Sequence, residues 1–421
     1  MPQTQIRIGV IALSRFLDDP RVRRQCEVLQ SSGFQVFAVG EDDERSEPVS
    51  WTVAELPSHN VAEAKSITTN FKIKVVLQTI LGKSGRQFFR RSILVARAQR
   101  CRVQPRYAER LFWSWKSNIS NLYQKAKLLR CDIWLANDWI TLPIAARLAA
   151  ENGGIYVYDS HEFALEEYQE RLLWRFAQKP IVAALEKSFI GGAKLVTAVS
   201  SGIAHRLTKI YRLPRAALTV RNTPHYVEIP FRQTPVVVRV LYHGIVAPGR
   251  GLEAAIDSVP KWSPDRQLYI RGPGSEVYLA SIRKRIEQAG LQSRVFVIPP
   301  VRMTELVAAA SEFDIGFFAL PGHSLHNEYA LPNKFFEYAM AGLALCVSRL
   351  PEMASIVSKY QLGSTFASVT PEFIAAAINE LSPSKINQYK RNSLAAAKEL
   401  CWERESSILV SALTTLAGTE A

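Results

Sequence analysis

A short segment in the second half of the chain combines residue types that could bind a phosphorylated nucleotide. Leu331-Pro332-Asn333-Lys334 reads as the start of a helix, because proline fits the first helical turn, where its missing N–H is not needed. The free N–H groups and partial positive charge of such a helix start favour a phosphate. Lys334 and Glu337 are three residues apart and so share a face, which predicts a cation for phosphate beside a carboxylate for ribose hydroxyls. On spacing alone, an ordinary surface pair is the more common alternative.

A second candidate phosphate-binding segment contains Gly244, Arg250 and Gly251, which follow a predicted strand and precede a predicted helix. A guanidinium in such a loop could hold a diphosphate through two parallel hydrogen bonds. The alternative is a flexible loop with a solvated arginine, because glycine-rich turns are frequent. Gly272, which opens a Gly-Pro-Gly run after the next strand, is a weaker signal, since such runs often only make a tight turn.

Runs rich in β-branched and aromatic residues alternate with helix-like stretches along the chain and would position these loops. The predicted strands are Ile6–Leu13, Gln35–Val39, Asp132–Ala136, Ile155–Tyr158, Lys194–Val199, Ala217–Val220, Val236–Tyr242, Gln267–Ile270, Arg294–Ile298, Asp314–Ala319 and Ala344–Val347. Many are apolar on both faces, which is typical of parallel strands covered by helices on each side. The alternation predicts an α/β protein of two doubly wound, Rossmann-like domains facing a central cleft, where ligands bind at the carboxyl ends of the strands. Pro224–Pro235 has no clear period and is the predicted linker.

Taken in order, the motifs of the chain resemble those of family-4-type glycosyltransferases with the GT-B fold. The matching pieces are Asp19-Pro20-Arg21-Val22, Ala136-Asn137-Asp138, Tyr158-Asp159-Ser160-His161-Glu162, Val199-Ser200, Arg221-Asn222-Thr223-Pro224, His243-Gly244, Arg250-Gly251, Gly272-Pro273-Gly274, Phe313-Asp314-Ile315, Leu331-Pro332-Asn333-Lys334, Glu337, Ala341-Gly342 and Trp402-Glu403. The resemblance is thin between about Trp51 and Arg130. It implies an acceptor-binding domain over residues 1–229, a nucleotide-sugar domain over 230–395 and a last helix, 396–421, that packs back on the first domain.

The resemblance also implies roles for the donor-side residues. Arg250 and Lys334 would hold the diphosphate of the nucleotide sugar, and Glu337 would bind the ribose as the second glutamate of the family's Glu-x7-Glu motif. The first glutamate of that motif would fall at position 329, which is Tyr329 in this chain. Either the neighbouring Glu328 or backbone groups of the following loop would then contact the sugar.

On the acceptor side, His161 follows a predicted strand at its carboxyl end, where the family places a histidine against the transferred sugar. A lone histidine is more commonly a structural residue. The acids on either side of His161 could however fix its tautomer or raise its pKa, which favours the catalytic role. Ser14 and Arg15 in the first βα turn, together with Asp138, are assigned to the acceptor side.

The implied reaction moves a hexose from a UDP- or GDP-linked sugar onto a glycan or lipid-linked acceptor with retention of configuration, as in polysaccharide biosynthesis. Arg250, Lys334 and the helix start near Asn333 would stabilise the departing diphosphate. Such an arrangement can replace a metal ion, and the chain has no Asp-x-Asp run that would argue for one. We therefore expect no metal and no cofactor apart from the donor itself.

A strongly basic segment, Lys65–Arg130, carries 16 Lys and Arg residues against a single acid, Glu109, so the rest of the chain has a net charge of only −1. Three stretches of it are predicted to be helical and partly amphipathic, namely Phe71–Leu81, Phe88–Ala98 and Tyr107–Leu129. A single-sign block interleaved with aromatic residues indicates a lipid-linked acceptor or an anionic membrane surface. The alternative is that the aromatic side chains pack the segment onto its own domain.

The bulk properties indicate a globular protein of two or three domains, since 421 residues exceed one ordinary core. Five scattered cysteines predict buried thiols in a reducing compartment and argue against structural zinc. The first residues lack the pattern of a signal peptide, and no apolar run approaches the roughly 18 residues of a membrane span. The expected location is the cytoplasm, either free or peripherally on the cytoplasmic membrane.

Two other classes of function compete with the transferase. The basic segment could bind nucleic acid, but the chain has no recognised reading module, so no nucleic acid partner is expected. A non-catalytic glycosyltransferase-like partner would keep the fold without turnover. The departure from the family motif at Tyr329 is the reason to keep this alternative. A hydride-transferring enzyme is disfavoured, because the first βα turn lacks the glycines of the dinucleotide fingerprint.

Overall fold

The structure, a computed structural model, describes residues 5–14, 19–40, 49–54, 83–114 and 117–420. The chain divides into two compact units. The first comprises Met1–Ala198, Ile203–Thr219 and Val410–Ala421, and the second comprises Val199–Gly202 and Val220–Leu409. Apart from the short excursion at Val199–Gly202, the units change at 219/220 and 409/410, while the proposed functional limits at 229/230 and 395/396 stay predictions.

The first unit contains a seven-stranded parallel sheet in the order β3-β2-β1-β4-β5-β6-β7. Its strands are β1 Arg7–Ile11, β2 Gln35–Val39, β3 Thr52–Val53, β4 Ile133–Asn137, β5 Ile155–Ser160, β6 Leu195–Ala198 and β7 Leu218–Thr219. Every residue of β4 is buried, as expected for a central strand covered on both faces. The strand order reverses between β1 and β4, which is where a doubly wound sheet opens a crevice for ligands.

The second unit contains a six-stranded parallel sheet in the order β10-β9-β8-β11-β12-β13. Its strands are β8 Val238–His243, β9 Arg266–Arg271, β10 Val295–Ile298, β11 Ile315–Phe318, β12 Ala344–Ser348 and β13 Gly363–Phe366. Here the order reverses between β8 and β11. The two sheets confirm the predicted α/β class with two Rossmann-like domains, and each of the eleven predicted strands has a counterpart.

The structure describes α-helices between most of the strands and after the last one. In chain order they are Pro20–Ser31, Lys83–Val103, Pro105–Trp113, Ser117–Lys127, Leu142–Asn152, Leu172–Ala177, Lys179–Phe189, Ser201–Tyr211, Leu252–Ser258, Glu276–Gln288, Leu306–Ala310, Leu325–Glu328, Asn333–Met340, Pro351–Tyr360, Pro371–Asn379, Pro383–Ala397 and Trp402–Glu420. The start of Pro20–Ser31 shows why they form where they do. Asp19 caps it by accepting hydrogen bonds from the backbone N–H groups of Arg21 and Val22, and Pro20 occupies its first turn.

The basic segment is helical where the structure describes it. The predicted stretch Phe88–Ala98 lies within Lys83–Val103, whereas Phe71–Leu81 lies outside the described residues. The predicted helical stretch Tyr107–Leu129 is divided between two helices, Pro105–Trp113 and Ser117–Lys127. The first of them tightens to an end at Ser114, whose N–H bonds the carbonyls of both Arg110 and Leu111.

Three aromatic residues of the basic segment pack into the first unit. Phe112 is fully buried and Tyr123 nearly so, and Trp113 meets both rings edge-on at centroid distances of 5.2 and 5.3 Å. The Arg147 guanidinium covers Trp113 and Tyr123 at 4.9 and 4.5 Å from their ring centres. For these three aromatic residues, the alternative of packing onto their own domain is the one observed.

Two further features concern the interior of the units. All five cysteines are buried and unpaired, as predicted for thiols that pack as small apolar groups. The buried Glu186 carboxyl accepts hydrogen bonds from the hydroxyls of Tyr158 at 2.7 Å and Tyr211 at 2.8 Å, and burial raises the pKa of Glu186 to about 7.

Among the described residues, the helices include none that combines the length and the apolar character of a transmembrane segment.

Candidate functional site

The Lys334 ammonium group lies at the reversal point of the second sheet. Its Nζ is 4.1 Å from the ring centre of Tyr242 at the end of β8 and 4.5 Å from that of Phe318 at the end of β11. The helix Asn333–Met340 holds it there, because Phe335 and Phe336 on the next positions are fully buried. Pro332 is the residue that caps this helix, with an extended backbone, rather than a residue of its first turn.

Arg250, Lys334 and Glu337 form one electrostatic cluster. Burial is the main reason that the pKa of Lys334 falls to about 7, and the positive charge of Arg250 lowers it further. The Glu337 carboxylate opposes this effect but does not cancel it. Two cationic side chains at a partly dry sheet end gain favourable interactions when an anion enters between them. The sequence prediction placed these three residues together on one ligand, and the structure brings them together.

Glycines allow the loop backbones near Lys334 to approach one another closely. An added Cβ at Gly244, where φ is +111°, would lie 2.9 Å from Lys334 Nζ, and one at Gly272 would lie 1.9 Å from the Gly244 carbonyl oxygen. A Cβ at Gly251 would lie 2.3 Å from the carbonyl oxygen of Ala319. Gly272, the weakest of the sequence signals, therefore sits where two loop backbones approach too closely for any side chain.

Glu337 is oriented by a histidine to which the sequence analysis assigned no role. His243 Nε2 lies 2.9 Å from Glu337 Oε2, and the His243 ring stacks on Tyr338 with centroids 4.6 Å apart. The Tyr338 hydroxyl accepts a hydrogen bond from the His243 backbone N–H and donates one to the Phe317 carbonyl. The available signal was the position of His243, directly before the loop glycine at the end of β8.

Glu328 lines a separate cavity of about 630 Å³ at the carboxyl ends of β11, β12 and β13. The polar side chains that share the lining are His323, Ser348, Arg349 and Ser368. Ser348 is 3% exposed, and its hydroxyl has no hydrogen-bond partner within the described chain. Val369 lines the cavity and also contacts the Gly251 loop, so the cavity adjoins the Arg250 segment.

The short helix Leu325–Glu328 presents Glu328 to this cavity. Ser324 caps the helix by accepting from the Asn327 N–H, and the Asn327 side chain donates to the Pro321 carbonyl at 2.7 Å. Tyr329, at the position of the expected family glutamate, ends that helix and is not among the lining residues. Leu331, which is 5% exposed, packs into the core of the second unit just before the Lys334 helix begins.

In the first unit, His161 sits at the carboxyl ends of β4 and β5. Its Nε2 lies 2.9 Å from Asn137 Oδ1 and 3.2 Å from Asp159 Oδ2, and its Nδ1 lies 3.5 Å from Asp138 Oδ2. Burial alone would lower the pKa of His161, but the Asp138 and Asp159 carboxylates outweigh burial and raise it to about 9. The ring is therefore a cation at neutral pH.

Asp159 is held by a buried network that sequence reasoning did not identify. Arg21 binds it through two parallel hydrogen bonds of 2.7 Å, and Gln25 and Thr197 donate two more at 2.6 and 2.5 Å. Burial acts to raise the pKa of Asp159, but Arg21 and His161 hold it well below its usual range. Arg21 and Asp159 are 1% and 0% exposed, so each charge depends on the other.

The remaining acceptor-side predictions divide into described and undescribed residues. Asp138 adopts a left-handed backbone with φ of 64° and accepts a hydrogen bond from the His161 N–H at 2.9 Å, so it lies beside His161. Ser14 donates to the Asp19 carboxylate at 3.1 Å, beside the start of the Arg21 helix. Arg15 lies outside the described residues. In the part of the chain that the structure covers, no group of three or more His, Cys, Asp or Glu side chains is placed to hold a metal ion.

Two doubly wound parallel units, with charged residues gathered at the reversal point of each sheet, are the architecture of a GT-B-type glycosyltransferase. Residues 19–223 match the family model of the glycosyl transferase 4-like domain, so this part of the chain is similar to that family. No curated protein sequence matches the chain.

Solved structures share the fold over nearly the full chain at low identity. Sucrose-phosphate synthase from Thermosynechococcus elongatus is 13% identical with a TM-score of 0.69, covering 99% of this chain and 100% of its own. Anabaena HepE, solved with UDP and glucose, is 14% identical with a TM-score of 0.63, covering 98% of this chain and 100% of its own. The apo lipopolysaccharide outer core galactosyltransferase WaaB is 12% identical with a TM-score of 0.58, covering 97% of this chain and 99% of its own.

Proposed function

We propose that the protein transfers a hexose from a nucleotide diphosphate sugar to a glycan or lipid-linked acceptor. The observation that carries this proposal is the cluster of Arg250, Lys334 and Glu337 at the reversal point of the second sheet. Two cations suit a diphosphate and the carboxylate suits ribose hydroxyls. The structure of HepE with UDP-glucose supports a uridine donor, and GDP sugars remain the second candidate.

Charge stabilisation would drive the proposed reaction. As the sugar–phosphate bond breaks, negative charge develops on the leaving diphosphate, and Arg250 and Lys334 are already in place to stabilise it. Their two charges would serve the purpose for which other transferases use a metal ion. Retention of configuration is carried forward from the family resemblance as part of the proposal.

The sugar would occupy the cavity lined by Glu328. The unpartnered Ser348 hydroxyl and the Glu328 carboxylate are the kinds of groups that bind sugar hydroxyls, because a buried hydroxyl gains a hydrogen bond when ligand enters. Glu328 would thus replace the glutamate that the family motif has at the position of Tyr329. In the first unit, His161 would offer its Nδ1–H, since the 3.5 Å contact of that atom with Asp138 is longer than a good hydrogen bond.

The acceptor is proposed to be membrane-proximal, with the enzyme peripheral on the cytoplasmic membrane. The support is the Lys65–Arg130 segment, in which Arg91, Arg97, Arg102 and Arg106 are exposed where the structure describes it. Buried, unpaired cysteines support the cytoplasmic location.

A nucleotide panel tests the donor assignment. Thermal unfolding with UDP, GDP, ADP and CMP should show one diphosphate that raises the melting temperature, since ligand at about 100 times its Kd adds roughly 2.7 kcal/mol. Arg250→Ala and Lys334→Ala should each cost about 2–4 kcal/mol of transition-state stabilisation in kcat/KM. Arg283→Ala and Lys284→Ala remove exposed charges of the same unit and serve as controls.

The proposal would be overturned by full turnover in both site variants. Donor hydrolysis without acceptor separates an enzyme from a non-catalytic relative of the fold. If the nucleotide binds but the protein neither hydrolyses the donor nor transfers its sugar, the non-catalytic alternative replaces the transferase.

A further inference from the structure

The short helix Leu172–Ala177 in the first unit has an apolar face that points outward. Leu172, Leu173 and Phe176 are 65%, 41% and 48% exposed, whereas Trp174 and Ala177 are buried. Positions i, i+1 and i+4 lie on one side of a helix, so the three large apolar residues form a single outward face. A surface helix normally turns its polar side to water, and an exposed apolar face of this kind marks an interaction site.

Cations flank this face on the same helix and on its neighbour. Arg171 and Arg175 are exposed, and the Arg175 guanidinium lies 5.9 Å from the Phe176 ring centre. The helix packs against the basic helix Lys83–Val103, and Gln99 of that helix donates a hydrogen bond of 3.0 Å to the Phe176 carbonyl. The two packed helices thus combine exposed apolar side chains with arginines.

The neighbouring basic helix repeats the same combination. Ile93, Leu94 and Val103 are 37%, 46% and 81% exposed. Arg97 and Arg100 on the same helix are exposed as well. Phe112, Trp113 and Tyr123 pack against one another in the first unit, so the exposed apolar side chains described on these two helices are aliphatic ones and Phe176.

The charge of this region decides which partner fits. Lys65–Arg130 has 16 basic residues and one acid, so a second copy of the chain would bring a like-charged surface against it. An anionic bilayer offers both complements at once, because phosphate groups attract the arginines and the acyl boundary accepts the apolar side chains.

We propose that the face formed by Leu172, Leu173 and Phe176 inserts into the boundary between headgroups and acyl chains of an anionic membrane, with Arg171 and Arg175 bound to lipid phosphates. This inference deepens the membrane-proximal part of the proposed function by naming the surface. This surface lies outside the basic segment Lys65–Arg130 and packs against one of its helices. Binding is measured without donor or acceptor, so its failure would leave the transfer reaction untouched.

The test is vesicle binding by the full chain. Wild-type protein should sediment with phosphatidylglycerol vesicles far more than with phosphatidylcholine vesicles, and less at high salt. The triple variant Leu172→Gln, Leu173→Gln, Phe176→Gln should weaken binding to anionic vesicles at least about tenfold, since each buried methylene contributes to the partition. Arg171→Gln and Arg175→Gln should each weaken it about fivefold at low salt.

Matched controls exist on the second unit. Val277 and Phe373 are 84% and 51% exposed on other helices, so Val277→Gln and Phe373→Gln remove comparable apolar surface away from the proposed face and should bind vesicles like wild type. The melting temperature of each variant checks that the fold is retained, and unchanged arginine variants would overturn the proposal even if the triple variant failed to fold.

Three other results would overturn the proposal. Equal binding to neutral and anionic vesicles contradicts the role of charge. Wild-type affinity in the folded triple variant contradicts insertion. A wild-type dimer in analytical ultracentrifugation that the triple variant converts to a monomer assigns the face to a second copy of the chain.

Discussion

The protonation of Lys334 should make donor binding depend on pH near neutrality. The pKa of Lys334 is lowered to about 7, mainly by burial and further by Arg250, so much of the ammonium is neutral in the unliganded protein at pH 8. A diphosphate favours the charged form, because the two opposite charges attract each other. We therefore expect affinity for a nucleotide diphosphate sugar to fall as pH rises through 7.

The magnitude follows from that pKa. If only the protonated Lys334 binds the diphosphate, one pKa unit corresponds to about 1.4 kcal/mol. The dissociation constant should therefore rise about tenfold between pH 6 and pH 8. His161, with a pKa of about 9, keeps its charge over this range and adds little to the slope.

Isothermal titration calorimetry with UDP-glucose from pH 6 to pH 8 measures this slope. A sugar diphosphate is the suitable probe, since its phosphates are both esterified and do not titrate in this window. Lys334→Met keeps an unbranched side chain, one atom shorter, against the rings of Tyr242 and Phe318 but has no proton to lose. The variant should bind more weakly than wild type and show no slope.

Either of two results would contradict the role of Lys334 protonation in donor binding. A flat wild-type dissociation constant from pH 6 to pH 8 would mean that Lys334 is charged throughout or does not contact the diphosphate. A slope that persists in Lys334→Met would assign the titration to another group. GDP-mannose in place of UDP-glucose is needed first if the nucleotide panel selects a guanine.

Three further predictions concern stability and can be measured by urea unfolding. Gly272→Ala should lower the free energy of unfolding by at least about 3 kcal/mol, because its Cβ would lie 1.9 Å from a backbone oxygen. Gly290→Ala, with φ of +65° and open space around it, should lower the free energy of unfolding by only about 1 kcal/mol. Equal losses in the two variants would contradict the close approach at Gly272. Asp159→Asn leaves the buried Arg21 without its counter-ion and should lower the free energy of unfolding by about 3–5 kcal/mol. The pKa of His161, measured by NMR, should fall in the same variant. A smaller loss of stability or an unchanged pKa of His161 argues against the network. The pKa of Glu186 is raised from 4.5 to about 7 in the folded protein. The protonated carboxyl therefore contributes stability below pH 4.5, and this contribution is lost as the pH rises through 7. Glu186→Gln should consequently flatten the pH dependence of the free energy of unfolding between these two pH values.

The strands that are clearest from sequence are those buried on both faces. β4 and β12 are apolar at nearly every position and fully buried, so their composition identifies them. β3 has only two residues, and β13 reads Gly-Ser-Thr-Phe with a single fully buried position at its end. Both lie at sheet edges, where one neighbouring strand suffices and little apolar surface is needed. Their pairing depends on the neighbouring strand, which local sequence does not encode.

In the candidate site, too, local sequence could place some residues and could not show the pairing of others. Arg250, Lys334 and Glu337 could be placed because each lies in a loop or helix start that has a recognisable order along the chain. Arg21 and Asp159 are 138 residues apart and meet only through the sheet order, so neither sequence neighbourhood shows the pairing. Their network could be found only once the strand order was known.

The last helix has a consequence for how this protein can exchange parts with its relatives. Trp402–Glu420 belongs to the second unit up to Leu409 and to the first from Val410 onward. A hybrid made with one crossover at 219/220 would therefore join the first unit of one parent to the last helix of the other. Recombination that preserves both halves needs a second crossover near 409/410. Only a double exchange at both junctions leaves each unit with the part of the last helix that came from its own parent.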